Sequence, residues 1–393
     1  MKLAVVTPRY GPEVAGGAET AARLLATHLA AHETWQVEVL TTCAHDATTW
    51  SDHYPPGTED VDGVPVQRFP VLHGRSADFD TASDRLFAIG SRRTAADQLR
   101  WLERQGPVAP DLVHAIATSD ADVLAFHPYL YHPTVVGVPA VRERAVLHAA
   151  AHDEAPIHLP LYRDVFGAAG GLVHWSDAER RLVHRLFPVA ERPQLVLGLG
   201  VEPRAGDAAA ARAAVGLGDE PFLLCLGRVE NGKGARVLAS CFAAYKERRP
   251  GPLRLVFAGP VVHVPDPHPD VVVAGAVPER VKWGLLRAAD VFVTPSAYES
   301  FSIVLIEAWS VGTPALVNGR CAVTREHAEH SGGAVAFSSY AQLEVALDRL
   351  LASAPARREM GEAGRRYVER RYRWPQVTAR YAGFLRRVAS RAA

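Results

Sequence analysis

Cysteine is scarce in this chain. Cys43, Cys225, Cys241 and Cys321 are the only four, and no two of them form a C-x-x-C pair, so neither a zinc site nor a disulfide framework is suggested. A reducing, cytoplasmic compartment is the expectation. Long apolar runs are missing too: none approaches the roughly eighteen residues of a membrane-spanning helix. The opening MKLAVVTPRY enters a short strand-like run and lacks the apolar length of a signal peptide, so a soluble protein is expected. Neither sign of charge is in excess. Lys and Arg number 43 against 43 Asp and Glu, a balance that calls for no nucleic-acid partner, although a neutral average can hide a basic patch. Also absent are the phosphate-loop spacing G-x-x-x-x-G-K-[ST] and the dinucleotide fingerprint G-x-G-x-x-G. A nicotinamide-dependent oxidoreductase thereby loses its main sequence support.

What is present is alternation. At 393 residues and 48% hydrophobic content, the chain is long enough for two cores. Apolar runs at 2–7, 37–42, 64–69 and 111–115 read as strands, with a helical pattern to 31 and another over 82–105. Strand-like runs recur at 145–151 and 171–176, and a helix starts at 177. After a Gly- and Pro-rich stretch at 188–206, with hinge composition, a second series follows. Its strands are expected at 222–226, 253–259, 270–274, 291–294, 315–317 and 332–337, and its helices at 279–288, 302–311, 342–353, 357–372 and 376–389. Strands alternating with helices predict an α/β fold of parallel, doubly wound sheets, in which ligands gather at the strands' carboxyl ends. His114 would then stand at such an end, although a packed histidine explains it equally.

The stretch PSAYESFSIVLIEAWSVGTP carries two carboxylates, Glu299 in a turn and Glu307 inside a helix. Eight residues at the helical rise separate them by roughly 12 Å. That exceeds the about 5 to 9.5 Å of a glycosidase pair, so a hydrolase dyad is disfavoured. Two separate polyol groups, with an anion at the helix N-terminus between them, fit better. Solvated helix glutamates remain the alternative. In GRVENGKG, Arg228 and Lys233 flank a glycine turn that opens a helix, where two cations and free amides could hold a diphosphate; two solvated cations on a turn is the other reading. Gly16 and Gly17 allow close backbone approach before a helix, with Glu19 suited to the helix dipole. His152, followed by Asp153 and Glu154, could hydrogen-bond a sugar hydroxyl.

Taken together and in order, GGAE at 16–19, HDE at 152–154, G-R-x4-K-G at 227–234 and the E-x7-E pair resemble the retaining nucleotide-sugar glycosyltransferases of family 4 over almost the whole chain. The resemblance implies a GT-B fold: two Rossmann-like domains facing across a cleft, here an acceptor domain at 1–203 and a donor domain at 204–375, with segment 376–393 returning to the first. It implies that Arg228 and Lys233 hold the donor diphosphate, Glu307 the ribose and Glu299 the donor sugar. Ser300, Phe301 and Ser302 complete that donor-binding run. Gly16 and Gly17 would approach the phosphate or the acceptor, and His152 the transferred sugar. No metal or other cofactor is implied. The expected reaction moves a hexose-type sugar from a nucleotide-diphosphate donor, UDP-sugar favoured over GDP-sugar, to an acceptor hydroxyl on a glycan, lipid-linked or small molecule.

The departures bear on the donor. Ser302 stands where the family usually has glycine, Trp309 is bulkier than usual, and Asn318, Gly319, Arg320 and Cys321 replace a glycine-rich turn. These positions are expected to line or neighbour the donor pocket. A protein of the same fold that binds nucleotide sugars without catalysis is the alternative. Arg365, Arg366, Arg370, Arg371, Arg373, Arg386 and Arg387 give the last helices a solvated basic face or peripheral contact with an anionic membrane.

Overall fold

The computed structural model describes residues 1–14, 16–32, 34–91 and 93–392. Positions 15, 33, 92 and 393, which fall just before the expected Gly16–Gly17 approach, after the first helical pattern, in the expected helix 82–105 and at the end of segment 376–393, lie outside the described residues. The chain forms two compact units, Met1–Leu199 with Val377–Ala393, and Gly200–Gln376.

The first unit is built on β1 (Lys2–Val6), β2 (Gln36–Thr42), β3 (Gly57–Val61), β4 (Val64–Phe69), β5 (Val123–Phe126), β6 (Ala145–His148), β7 (Gly171–His174) and β8 (Gln194–Val196), ordered β3-β4-β2-β1-β5-β6-β7-β8. β5, β6 and β7 are buried at every residue, the pattern of strands covered on both faces. Every pairing is parallel except β3 with β4, an edge hairpin turned at Asp62–Gly63. Leu112, Ile116, Val138 and Phe166 pack with Leu124 and Leu147 in the core. From the C-terminal segment, Tyr381 reaches His148 at 2.9 Å, and Phe384 and Val388 lie against Gly171.

Two expectations for this unit are corrected. Residues 111–115 are not a strand but part of the helix Pro110–Thr118. Pro110 in the first turn and Asp111 beside it make a helix start, and the buried Leu112 and Ile116 stand one helical turn apart. His114 is therefore exposed on a helix rather than placed at a strand end. The expected single helix 82–105 is two, Phe79–Phe87 and Ala95–Gln105, the second started by a capping box between Thr94 and Asp97. The hinge-like stretch 188–206 does hold the division between the two units, after Leu199, and also contains β8.

The second unit repeats the strand-helix alternation with β9 (Phe222–Leu226), β10 (Arg254–Ala258), β11 (Val271–Gly275), β12 (Val291–Thr294), β13 (Ala315–Asn318) and β14 (Ala334–Phe337), all parallel and ordered β11-β10-β9-β12-β13-β14. Chain order reverses between β9 and β12. That adjacency places the loops leaving β9 and β12 side by side at the carboxyl edge, where ligands of doubly wound sheets collect. Leu238 and Phe242 of one helix and Leu347 and Leu350 of another cover one face of this sheet.

Candidate functional site

The loop after β9 runs through Arg228 to a single 3-10 turn, Asn231–Lys233, and the helix Ala235–Arg248. Gly234 makes the join. It sits in the left-handed region at φ 81°, and a β-carbon on it would lie 2.8 Å from the carbonyl oxygen of Pro295, the first residue after β12. This close approach seats one loop against the other. Lys233 Nζ then lies 2.9 Å from Glu299 Oε1 and 3.5 Å from the carbonyl oxygen of Tyr298. Asn318, at the end of β13, donates to Pro295 O at 2.9 Å and ties the same loop from the other side. Arg228 is more open, half exposed, with Glu230 at 3.3 Å.

Beyond Glu299 the chain enters the helix Ile303–Ser310 through Ser302, which takes the left-handed conformation at φ 64° and ψ 66°. This is a conformation that glycine adopts without cost, and serine does not. Ser302 Oγ is buried and has no hydrogen-bond partner among the described residues. Ser300 is half-buried beside it. The Phe301 ring does not face a ligand; it packs edge-on against His327 and Tyr372, leaving only its backbone to contribute to a site.

Glu307 is 9% exposed, and Lys282 Nζ holds its Oε1 at 2.8 Å. Its Oε2 is buried and without a partner among the described residues. Burial pushes the Glu307 carboxyl above its ordinary value, against the opposing pull of Lys282. Lys282 also lies 3.1 Å from Glu279, one helical turn earlier. Sequence reasoning missed Lys282. The one available signal was the Glu279 and Lys282 spacing, and that spacing alone reads as a solvated helix pair.

Two of the departures from the family pattern are buried side chains. Trp309 is fully buried, donates from Nε1 to Gly333 O at 2.8 Å, and fills a slot floored by Gly333 and Gly364. It packs the core of the unit. Cys321 is likewise buried, at the N-cap of the helix Ala322–Ser331.

In the first unit, Gly16 precedes the helix Gly17–Ala30, and a β-carbon on it would collide with the Glu19 carboxylate. Glu19 forms a buried ion pair with Arg9, which also donates to His45 O at 3.1 Å. Glu19 thus serves as an anchor beneath the glycine loop, beyond any effect on the helix dipole. Gly17 faces open space. His152 is half-buried on the loop after β6, and its carbonyl accepts from Glu154 N at 2.9 Å. Asp153 pairs with His158 at 2.8 Å, and Glu154 accepts from the Tyr129 hydroxyl at 3.0 Å.

Among the described residues no group of three His, Cys, Asp or Glu side chains is arranged to hold a metal ion, and no helix is long and apolar enough to cross a membrane. The late arginines are largely engaged at the helix surface: Arg365 pairs with Glu362 and Glu369, and Arg366 with Glu362.

Residues 207–367 match the family described as glycosyl transferases group 1. The D-inositol 3-phosphate glycosyltransferase of Nocardia farcinica is 29% identical over 339 residues, covering 79% of this chain and 73% of the relative. Four further relatives of that name are matched over 25% to 40% of their own length. Among solved structures, the sucrose-phosphate synthase of Thermosynechococcus elongatus superposes with a TM-score of 0.72 at 19% identity, covering 99% of both chains. A structure described as trehalose-6-phosphate from E. coli bound with UDP-2-fluoro glucose superposes at 0.70 and 13% identity, covering 99% of this chain and 99% of that one. The chain is a glycosyltransferase of GT-B type, with the group 1 domain over residues 207–367.

Proposed function

We propose that the protein is a retaining glycosyltransferase that moves a hexose-type sugar from a nucleotide-diphosphate donor, a UDP-sugar in preference to a GDP-sugar, to an acceptor hydroxyl. The observation that carries this reading is the meeting of Lys233 and Glu299 where the loops of β9 and β12 adjoin. A cation and a carboxylate side by side suit a ligand in which phosphate and hydroxyls are neighbours. The second unit takes the donor: Arg228 and Lys233 hold the diphosphate, and Glu299 accepts from the sugar hydroxyls. Ser300, Phe301 and Ser302 present the backbone at the helix start, and Glu307 takes the ribose hydroxyls on its buried Oε2, which has no partner among the described residues. The first unit takes the acceptor, with Gly16 and Gly17 permitting close approach and His152 bonding the transferred sugar. The acceptor is a glycan, a lipid-linked sugar or a small molecule. A phosphorylated polyol is the class that the names of the inositol-phosphate relatives suggest.

The chemistry proposed is metal-independent and front-face. The bond from the anomeric carbon to the diphosphate oxygen breaks, the acceptor oxygen bonds to that carbon on the same face, and the acceptor proton passes to the departing phosphate. Arg228 and Lys233 stabilise the charge gathering on the leaving group, and no enzyme nucleophile forms a covalent bond. Proton NMR of the product formed from an α-linked donor tests this. An α-linked product is expected, with the rate unchanged by EDTA. A β-linked product would overturn retention, and donor binding without transfer or hydrolysis would favour a binding protein.

A further inference from the structure

We propose that Glu179 is a positioning residue that sets the loop carrying His152, acting through the backbone just before it; the inference rests on the reading of His152 as a group that touches the transferred sugar. Glu179 lies in the first turn of the helix Asp177–Leu186, whose N-cap Ser176 accepts from Glu179 N at 3.1 Å. Its carboxylate is 1% exposed and is turned toward the loop between β6 and His152. One oxygen accepts from Ala151 N at 2.7 Å and the other from Trp175 N at 2.6 Å, while the amide of Ala150 adds a third backbone donor.

The loop needs such a clamp. Ala150 sits at φ 53°, a left-handed conformation that a non-glycine residue keeps only when its surroundings over-determine it. Upstream, Ala149 O accepts from Tyr129 N at 3.1 Å; downstream, His152 O accepts from Glu154 N at 2.9 Å. Glu179 supplies the missing restraint on the two amides between these points, the last of them adjacent to His152. Only a carboxylate presents two acceptor oxygens and no donor, which is what converging N–H groups require. Among the described residues no cation pairs with it, so its placement serves the amides and not an ion pair. Burial raises its carboxyl, and the three amides oppose that shift by favouring the charged form.

The test compares Glu179→Gln, Glu179→Asp and His152→Ala in the full chain. The two Glu179 variants are measured by the ring resonances of His152 in histidine-labelled protein, and all three by the rate at which UDP is released from UDP-glucose in water. Glutamine keeps the volume but turns a donor toward the amides. It is expected to move the His152 ring signals and to lower kcat about 10- to 100-fold, with KM changed less than about 3-fold, as for a reacting geometry displaced by a fraction of an ångström. Aspartate should recover part of both. In a His152→Ala background Glu179→Gln should add little, because the two act as one unit. Unmoved ring signals, or an equal loss of rate in both backgrounds, would overturn the inference. If the glutamine variant does not fold, the aspartate variant is measured in its place, and unmoved ring signals or an equal loss of rate there overturn the inference in the same way. Should His152→Ala leave UDP release untouched, the role of His152 falls, while the ring signals still report whether Glu179 sets the loop.

Discussion

Lys233 Nζ lies 2.9 Å from Glu299 Oε1, so the proposed phosphate cation and the proposed sugar ligand are paired with each other. A diphosphate must take the lysine from this pair, and the freed carboxylate can then accept from sugar hydroxyls. Binding and orientation are thereby coupled in one contact. Lys233→Ala should lose more transition-state than ground-state stabilisation, with kcat falling about 10²- to 10³-fold and donor KM rising less. Initial rates with UDP-glucose check this; unchanged turnover would remove Lys233 from the mechanism.

Lys282 fixes Glu307 by one oxygen and leaves the other, buried, without a partner among the described residues. Lys282→Met should free that carboxylate to reorient or protonate, weakening UDP binding about 10-fold in calorimetry, with the larger deficit toward acid pH. The sign follows from burial, which already raises the Glu307 carboxyl: removing the opposing cation raises it further, so protonation begins at higher pH. Equal affinity in the variant would make Lys282 a helix-surface residue only.

Ser302 occupies a left-handed position at the start of the helix Ile303–Ser310. Ser302→Gly relieves strain of about 1 to 3 kcal/mol against about 0.5 to 1 kcal/mol of added chain entropy, so a net stabilisation of about 1 kcal/mol is expected. Urea unfolding measures it. A loss of stability would mean that the buried hydroxyl contributes more than its backbone costs.

Much of the fold was legible and the partnerships were not. The helix Glu279–Ala288 and the strands Phe222–Leu226 and Val291–Thr294 coincide with the expected bounds, because short apolar runs flanked by charge and proline leave little choice. The sequence DLVHA was ambiguous by composition, and the deciding residue was Pro110, just outside the run. Side-chain partners came from tertiary placement. Arg9 meets Glu19 across 10 residues, and Lys282 meets Glu307 across 25. Trp309 reads from sequence only as a bulky residue, and the glycines that make room for it, at 333 and 364, come beside it through tertiary placement.

Buried histidines predict an early acid instability. Burial lowers His127 and His327 to about 3 and His174 to about 4. In the unfolded chain each takes up a proton near 6.5, so from there down toward 3 the unfolded state binds more protons and stability is lost as pH falls. Each contributes a slope of about 1.4 kcal/mol per pH unit. Glu179, raised to about 8, acts with the opposite sign between its ordinary 4.5 and that value, and the histidines outnumber it. His127 stacks on His148 at 4.0 Å and neither of its ring nitrogens has a partner among the described residues. His127→Phe should keep the stack and flatten the slope between pH 5 and 6 by one histidine's share. An unchanged slope in denaturant titrations would contradict this.

The most direct test of the donor site is calorimetric titration of the protein with UDP, GDP and their glucose and mannose conjugates, repeated on Arg228→Ala and Glu307→Ala. It requires no acceptor. UDP and UDP-glucose are expected to bind, with affinity falling about 10-fold or more in each variant while the fold is retained. Absence of nucleotide binding to the folded wild type, or binding that neither substitution weakens, would contradict the donor site described for the second unit.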